Sequence, residues 1–377
     1  MKLETFSHAR GEGWSVPELP KLDSESTLVV VFGGSGYEEN CAALDELSRA
    51  YPSSTLVGCS SAGEIHGTQV NDDSLSVAVL RFERTRIRAV SIIVDGETSA
   101  KPGEELGRAL AAPDLRAIFV LSDGISVNGT ALLQGIHRAV AEGVVVTGGL
   151  AGDGTRFQRT WVLADRKPVA GVITAVGFYG DAVQVTHGSR GGWDTFGPER
   201  VVTKSDGNVL YELDGEPALA LYKTYLGERA AGLPATALLF PLALRAEAAE
   251  DNTLVRTILS VDEATQSMTF AGDIPQESTV QLMRANFERL IEGASVASRT
   301  AAAPESGDSL AIAISCVGRR IVLGERSEEE VEAAIEGVPS GSKLVGFYSY
   351  GEISPFAPGK CGVLHNQTMT LTRIWEA

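Results

Sequence analysis

Residues 56–65 read LVGCSSAGEI and residues 344–353 read LVGFYSYGEI, so one phrase stands near both ends of the chain. Seven of the ten letters agree, and the agreement includes the closing Gly-Glu-Ile, where a flexible residue hands the backbone to a carboxylate. Upstream of the first copy, LVVVFG (28–33) has the unbroken apolar character of a buried strand. EENCAALDELSRAY then sets Cys41, Leu44, Leu47 and Tyr51 at helical spacing, and STLVG restores a strand before the loop. The unit is strand, helix, strand, loop.

The same order returns twice. Residues 116–154 run from RAIFVLSDG through a helix carrying Leu132, Leu133, Ile136 and Val140 to GVVVTGGLAGDG, where Ala151, Gly152 and Asp153 match Ala62, Gly63 and Glu64. Residues 309–353 repeat it with SLAIAISCVGRR, the helix SEEEVEAAIEG and SKLVGFYSYGEI; Ser327 and Glu330 have the spacing of a capping box. Three such units ending in glycine plus acid indicate internal duplication. The class is α/β (α+β), with repeated strand-helix-strand units and mixed sheets.

Between the second and third units, FQRTWVLA, VAGVITAVGFY, AVQVTHGS and ERVVTKS read as a meander of strands. A helix is expected over 216–226 with Leu219, Tyr222 and Leu226 inward, followed by a hairpin from TLVRTILSV and SMTFAG. STVQLMRANFERLIEGA places Val280, Met283, Phe287 and Leu290 on one helical face, and SVASRTAAAPESGD (295–308), small and polar with Pro304, reads as a loop. The weakly patterned residues 228–251 are the expected domain crossover.

Composition narrows the function. At 377 residues and 39.8 kDa the chain exceeds one usual hydrophobic core. A net charge of −17 disfavours nucleic acid and anionic membrane as partners, because both need a local excess of Lys and Arg. With no signal-like leader and no membrane-length apolar run, the expected location is cytoplasmic. Cys41, Cys59, Cys316 and Cys361 are scattered without metal or disulfide spacing, so reduced thiols are expected.

A glycine after a strand can turn the chain sharply and expose backbone N–H groups, and an adjoining acid can receive an ammonium group or a ligand hydroxyl. Ser60, Ser61, Gly63, Glu64, Gly152, Asp153, Gly351 and Glu352, with Ser349, thus suit a small zwitterion or polar metabolite. The alternative is that each acid merely locks its own turn. Arg319 and Arg320 are candidates for gripping a ligand carboxylate, with Arg156 and Arg159 behind them. His365 and Asn366 stand to the third loop as Asp72 and Asp73 do to the first. His66 lacks the third ligand spacing of a metal site, and His187 in THGSRGGW is either a haem ligand or part of a solvated turn.

An enzyme would start from GCSSA (58–62), close to a nucleophile elbow at Ser60, but no helical pattern follows it. GGSG (33–36) is only a fragment of a dinucleotide fingerprint, and P-loop and HExxH patterns do not occur. No coherent catalytic set emerges, so a binding protein and not an enzyme is expected.

In order along the chain, VGCSSAGEI, GGLAGDGTRF, VTKSDGNVLYELDGEPAL, SCVGRR, GFYSYGEISP and LHNQTMTL resemble FIST-domain proteins. The resemblance implies an N-terminal FIST region over 1–225 and a C-terminal one over 226–377. It further implies a bacterial-type sensory module that binds a small polar ligand such as an amino acid and signals through a separate protein. Some members similar to it are haem-based nitric oxide sensors acting on histidine kinases, which keeps haem open for His187 and His365. On this reading Glu64 and Glu352 are the central carboxylates, Arg319 the carboxylate partner, and Tyr348 and Tyr350 the walls.

Overall fold

Three apolar runs become the central strands of three sheets in the computed structural model, which describes residues 1–94, 99–245, 253–301 and 308–377. Thr27–Gly34, Leu115–Ser122 and Ser309–Cys316 are buried along almost their whole length. Each pairs in parallel with the strand after its helix, respectively Thr55–Ser61, Val145–Leu150 and Ser342–Ser349. On its other side each pairs antiparallel with Ser74–Arg81, Val172–Tyr179 or Met369–Glu376. Beyond these lie Lys2–Ala9, Arg86–Ile93 and Val183–Arg190. Three stretches of sequence thus fold to one topology.

Each sheet is completed by a strand from another unit. Glu64–His66, leaving the first unit, pairs with Ser342–Ser349 of the third. Gly351–Pro355, leaving the third, pairs with Val145–Leu150 of the second, and Val162–Ala164, leaving the second, pairs with Thr55–Ser61 of the first at Cys59. The exchange is cyclic and covers three strand edges whose N–H and C=O groups would otherwise be unpaired.

Alternation along the central strands builds the cores. Leu28, Val30 and Phe32, Ala117, Phe119 and Leu121, and Leu310, Ile312 and Ile314 meet in one cluster between the three sheets. There Phe32 stacks on Phe347 with centroids 4.6 Å apart. The opposite faces take helices: Val29 and Val31 share a cluster with Leu44 and Leu47 of Ala42–Ala50. Ile118 and Val120 share another with residues of Ala100–Leu110 and Gly129–Ala139. Ala311 and Ala313 cluster with residues of Phe287–Ala301 and Ser327–Glu336.

A fourth, eight-stranded sheet is inserted between Val183–Arg190 and Phe287–Ala301 of the third unit. It has its own core, in which Leu219, Tyr222 and Leu226 of the helix Ala218–Leu226 pack on Leu210, Met268 and Phe270. Asn128 Nδ2 donates to Asp273 Oδ1 at 2.9 Å and Arg256 Nη1 to the Leu364 carbonyl at 3.1 Å, tying the insert to the three-unit body.

Several expectations are corrected. The four strands read as a meander do not form one: beyond the pairing of Val162 with Val169, Val162–Ala164, Val172–Tyr179, Val183–Arg190 and Asp194–Asp206 enter the first, second, third and fourth sheets. Local turn signals mark strand ends but not partners. STVQLMRANFERLIEGA is half strand, Thr279–Arg284, and half helix from Phe287, because Val280 and Leu282 alternate into the insert's core. The capping box is absent: Glu330 turns instead to the buried Arg319, and Ser327 Oγ donates to the Gly324 carbonyl. Residues 228–245 lie within the insert, where Leu242–Arg245 pairs with Thr279–Arg284, and the rest of that stretch to 251 falls outside the described residues. The loop expected over 295–308 is helix as far as 301, because Ala297 and Ala301 of Phe287–Ala301 pack into the core, and 302–307 lie outside the described residues. The division expected between 225 and 226 lies at the end of the helix Ala218–Leu226, which packs on the fourth sheet.

Gly58, Gly148 and Gly346 occupy matching places opposite Val31, Val120 and Ala313. A Cβ there would lie 2.2, 1.9 and 1.9 Å from the carbonyl oxygens of those residues. Gly58→Ala and Gly346→Ala are each expected to lower the unfolding free energy by about 1–3 kcal/mol, read from urea denaturation. Unchanged midpoints would show that the strands do not approach this closely.

Candidate functional site

The three glycine-acid loops do meet. The Ala62 N–H donates to the Tyr348 carbonyl and the Tyr348 N–H to the Gly63 carbonyl, both at 2.8 Å; Gly152 N–H reaches the Ser60 carbonyl at 3.0 Å and Tyr350 N–H the Leu150 carbonyl at 3.1 Å. Three strand ends form one backbone-linked triangle. Of its glycines, Gly63 takes a positive φ of 139°, and a Cβ on it would strike the Arg320 guanidinium.

The carboxylates are spent inside the triangle. Glu64 accepts from Ser61 Oγ and, at 2.9 Å each, from Ser74 N–H and Ser74 Oγ. Glu352 accepts from Ser349 Oγ at 2.7 Å and from Thr368 N–H at 3.2 Å, so the repeated Ser-x-x-Glu does the same work twice. Burial pushes Glu64 up to about 7 and Glu352 up to about 8, against the lowering effect of these donors. Asp153 is held below the usual carboxylate range: although burial opposes ionisation, its oxygens accept the Tyr350 hydroxyl and the N–H groups of Phe157, Gln158 and Arg159.

Arg319 is not free for a ligand. Fully buried, it pairs with Glu330 at 2.6 Å and donates to the carbonyls of Gly191 and Leu290. Arg320 is the arginine at the loops, bonded to the Ala62 carbonyl at 2.6 Å and to both oxygens of Asp72 at 2.7 and 2.8 Å. Arg156 bonds Ser35 and Arg159 pairs with Glu38 and Glu39. Tyr348 is no wall: its hydroxyl donates to Glu330 at 3.2 Å in the core. Tyr350 lines a cavity of about 820 Å³. Ser60 Oγ is buried and accepts the Trp161 N–H at 3.0 Å, and the strand Glu64–His66 follows where an elbow needs a helix.

His365 lies opposite Glu352 and Asn71 opposite Glu64, so Asn366 corresponds to Asp72, one place earlier than its spacing suggested. His365 Nε2 meets the Ser354 carbonyl at 2.9 Å, and burial lowers the ring's pKa to about 4; Asn366 is buried with Oδ1 unpaired. His187 lies in a strand, not a turn, and is 6% exposed. It lines neither of the two larger cavities, and His365, which lines the smaller of those two, has Nε2 on a carbonyl. These histidines do not fit haem. Among the described residues no cluster has the makings of a metal centre.

A cavity of about 820 Å³ opens between the insert and the three-unit body. The body contributes Ile125, Phe157, Tyr350 and Ile321, and the insert Asn208 and Leu259. The loop 124–128 at its edge is shaped by Asp123, which accepts from Ile125 and Ser126 N–H at 2.9 and 2.7 Å, Thr160 Oγ1 at 2.8 Å and Gly171 N–H at 3.1 Å. Asp123 was legible as one more acid beside a glycine at a strand end; nothing local singled out Phe157. A smaller cavity of about 500 Å³ is lined by Arg190, Trp193, Arg289, Glu292 and His365.

Because Glu64 and Glu352 are raised above their ordinary value of 4.5, the unfolded chain releases their protons first as pH rises. Their stabilising contribution is full below pH 4.5 and lost as pH climbs through about 7 and 8. Glu352→Gln is expected to flatten the fall of stability over that window, measured by denaturation at a series of pH values; an unaltered slope would mean the carboxyl ionises normally. No curated protein matches the sequence. Among solved structures, a cyanuric acid hydrolase from A. caulinodans is 10% identical with a TM-score of 0.34, covering 99% of this chain and 98% of its own, a likeness too slight to bear on function. The FIST N domain model matches residues 27–216 and the FIST C domain model residues 218–355, and the chain belongs to the FIST family.

Proposed function

We propose that the protein is a sensor that binds a small molecule in the cavity between the insert and the triangle of loops, and signals through a separate output protein such as a histidine kinase. FIST domains are sensory, small-ligand-binding domains of signal transduction. The observation that carries the placement is the cavity of about 820 Å³, a volume in the range of small-molecule sites, whose walls belong to two separately cored parts of the chain. A ligand bridging the two parts favours one relative arrangement of them, which is how occupancy becomes a signal.

Binding to the native state alone raises the melting temperature. A thermal-shift screen of metabolites is expected to find a compound that stabilises the protein and loses its effect in Ala235→Trp, an exposed position on the cavity wall. No stabilising compound, or one acting equally on the variant, would overturn the placement.

A free amino acid needs an anionic and a cationic partner, and the charges of Arg190 and Glu292 give the smaller cavity that pattern, Arg289 being paired with Asp194. This second reading predicts that an amino acid's effect survives Ala235→Trp and is lost in Arg190→Ala.

A further inference from the structure

We infer that the larger cavity takes an uncharged, flat ring, stacked on the outer face of Phe157; the inference rests on the sensory reading of that cavity. Phe157 has a φ of 51°, in the left-handed region that is unfavourable for a residue with a side chain. Its ring is 40% exposed and lines the cavity, while one face lies parallel to Tyr350 with centroids 4.4 Å apart and planes 13° apart. Neither the backbone strain nor the exposure aids folding. Asp153 nevertheless fixes this conformation by accepting three consecutive N–H groups, and the Tyr350 hydroxyl accepts the Phe157 N–H at 3.2 Å. A turn so firmly held in an unfavourable conformation presents an aromatic platform.

The platform is also where the internal repeat is broken. In the first and third units the exit strand starts at Glu64 and at Gly351, right at the acid. In the middle unit, residues 154–161 intervene before Val162–Ala164, and Phe157 lies on that added segment. Aspartate replaces glutamate there, and its shorter reach keeps the carboxylate on the added segment. Departures from a rule followed elsewhere in the same chain mark positions shaped by function.

The lining selects against charge. Its described side chains include no Asp, Glu, Lys, Arg or His. The nearby Asp123 and Asp153 are occupied by loop donors, and Asp273 by Asn128. A carboxylate or ammonium entering would lose hydration without gaining a counter-charge. Ile125, Leu259 and Ile321, all exposed, offer apolar contact around the ring. Asn208 Nδ2 donates to the Phe270 carbonyl at 2.7 Å, which leaves its Oδ1 as an acceptor for a ring N–H or amide.

Four probes test the assignment by titration calorimetry and ligand-observed NMR on the full chain: indole and benzamide, flat and uncharged; benzoate, flat and charged; cyclohexanecarboxamide, uncharged and not flat. Indole or benzamide is expected to bind at least tenfold tighter than the other two and to weaken at least tenfold in Phe157→Leu. Phe157→Gly relieves the left-handed strain, so it is expected to keep the melting temperature of the free protein while losing the ring binding. Preference for benzoate or cyclohexanecarboxamide, undiminished binding in either Phe157 variant, or no binding by any probe overturns the flat-ring assignment. A metabolite whose effect is still blocked by Ala235→Trp would then leave the cavity's sensory role standing.

Discussion

The structure depends on the backbone hydrogen bonds by which each unit closes the sheet of another. Thr55–Ser61, Val145–Leu150 and Ser342–Ser349 each have one edge against their own central strand, and the other edge needs a partner. The partners come in a cycle, first to third, third to second and second to first. Two units alone would leave an edge open. The glycine-acid turns sit at the points where the chain leaves one sheet for the next. This explains why Glu64 and Glu352 bond the entries of the strands at Ser74 and Thr368, fixing the hairpins that carry out the exchange.

Repetition and departure from it divide the labour. The first and third units use the same Ser-x-x-Glu arrangement with both carboxyls buried. The middle unit uses Asp153 to hold an extra segment and Tyr350, and Asp123 to hold the facing loop. The third unit accommodates the insert, which supplies the other wall of the cavity. A body built for closure thereby acquires one asymmetric face.

Much of this was legible locally. The three strand-helix-strand units, the helix ending at Gly227 and the hairpin of Ile258–Asp262 with Ser267–Phe270 follow from runs, spacing and turn residues that act over a few positions. Of the candidate site residues, Tyr350 lines the larger cavity and His365 the smaller, whereas Arg319, Tyr348, Glu64 and Glu352 are satisfied by the protein itself. An arginine's letter does not say whether a glutamate eleven residues on will neutralise it in the core. Glu330 looked like a cap because capping is a local interaction, and it lost to a buried charge that only packing brings near.

By itself the amino-acid order determined the three repeated units, their buried central strands and the glycine-acid corners, because these rest on periodicity and chirality within short segments. Tertiary structure alone decided which sheet each exit strand joins, since strands so similar in pattern carry no address for their partners. It also decided that the carboxylates face their own turns and that the cavity lies against the insert, because both follow from how separately patterned segments fill the space between them.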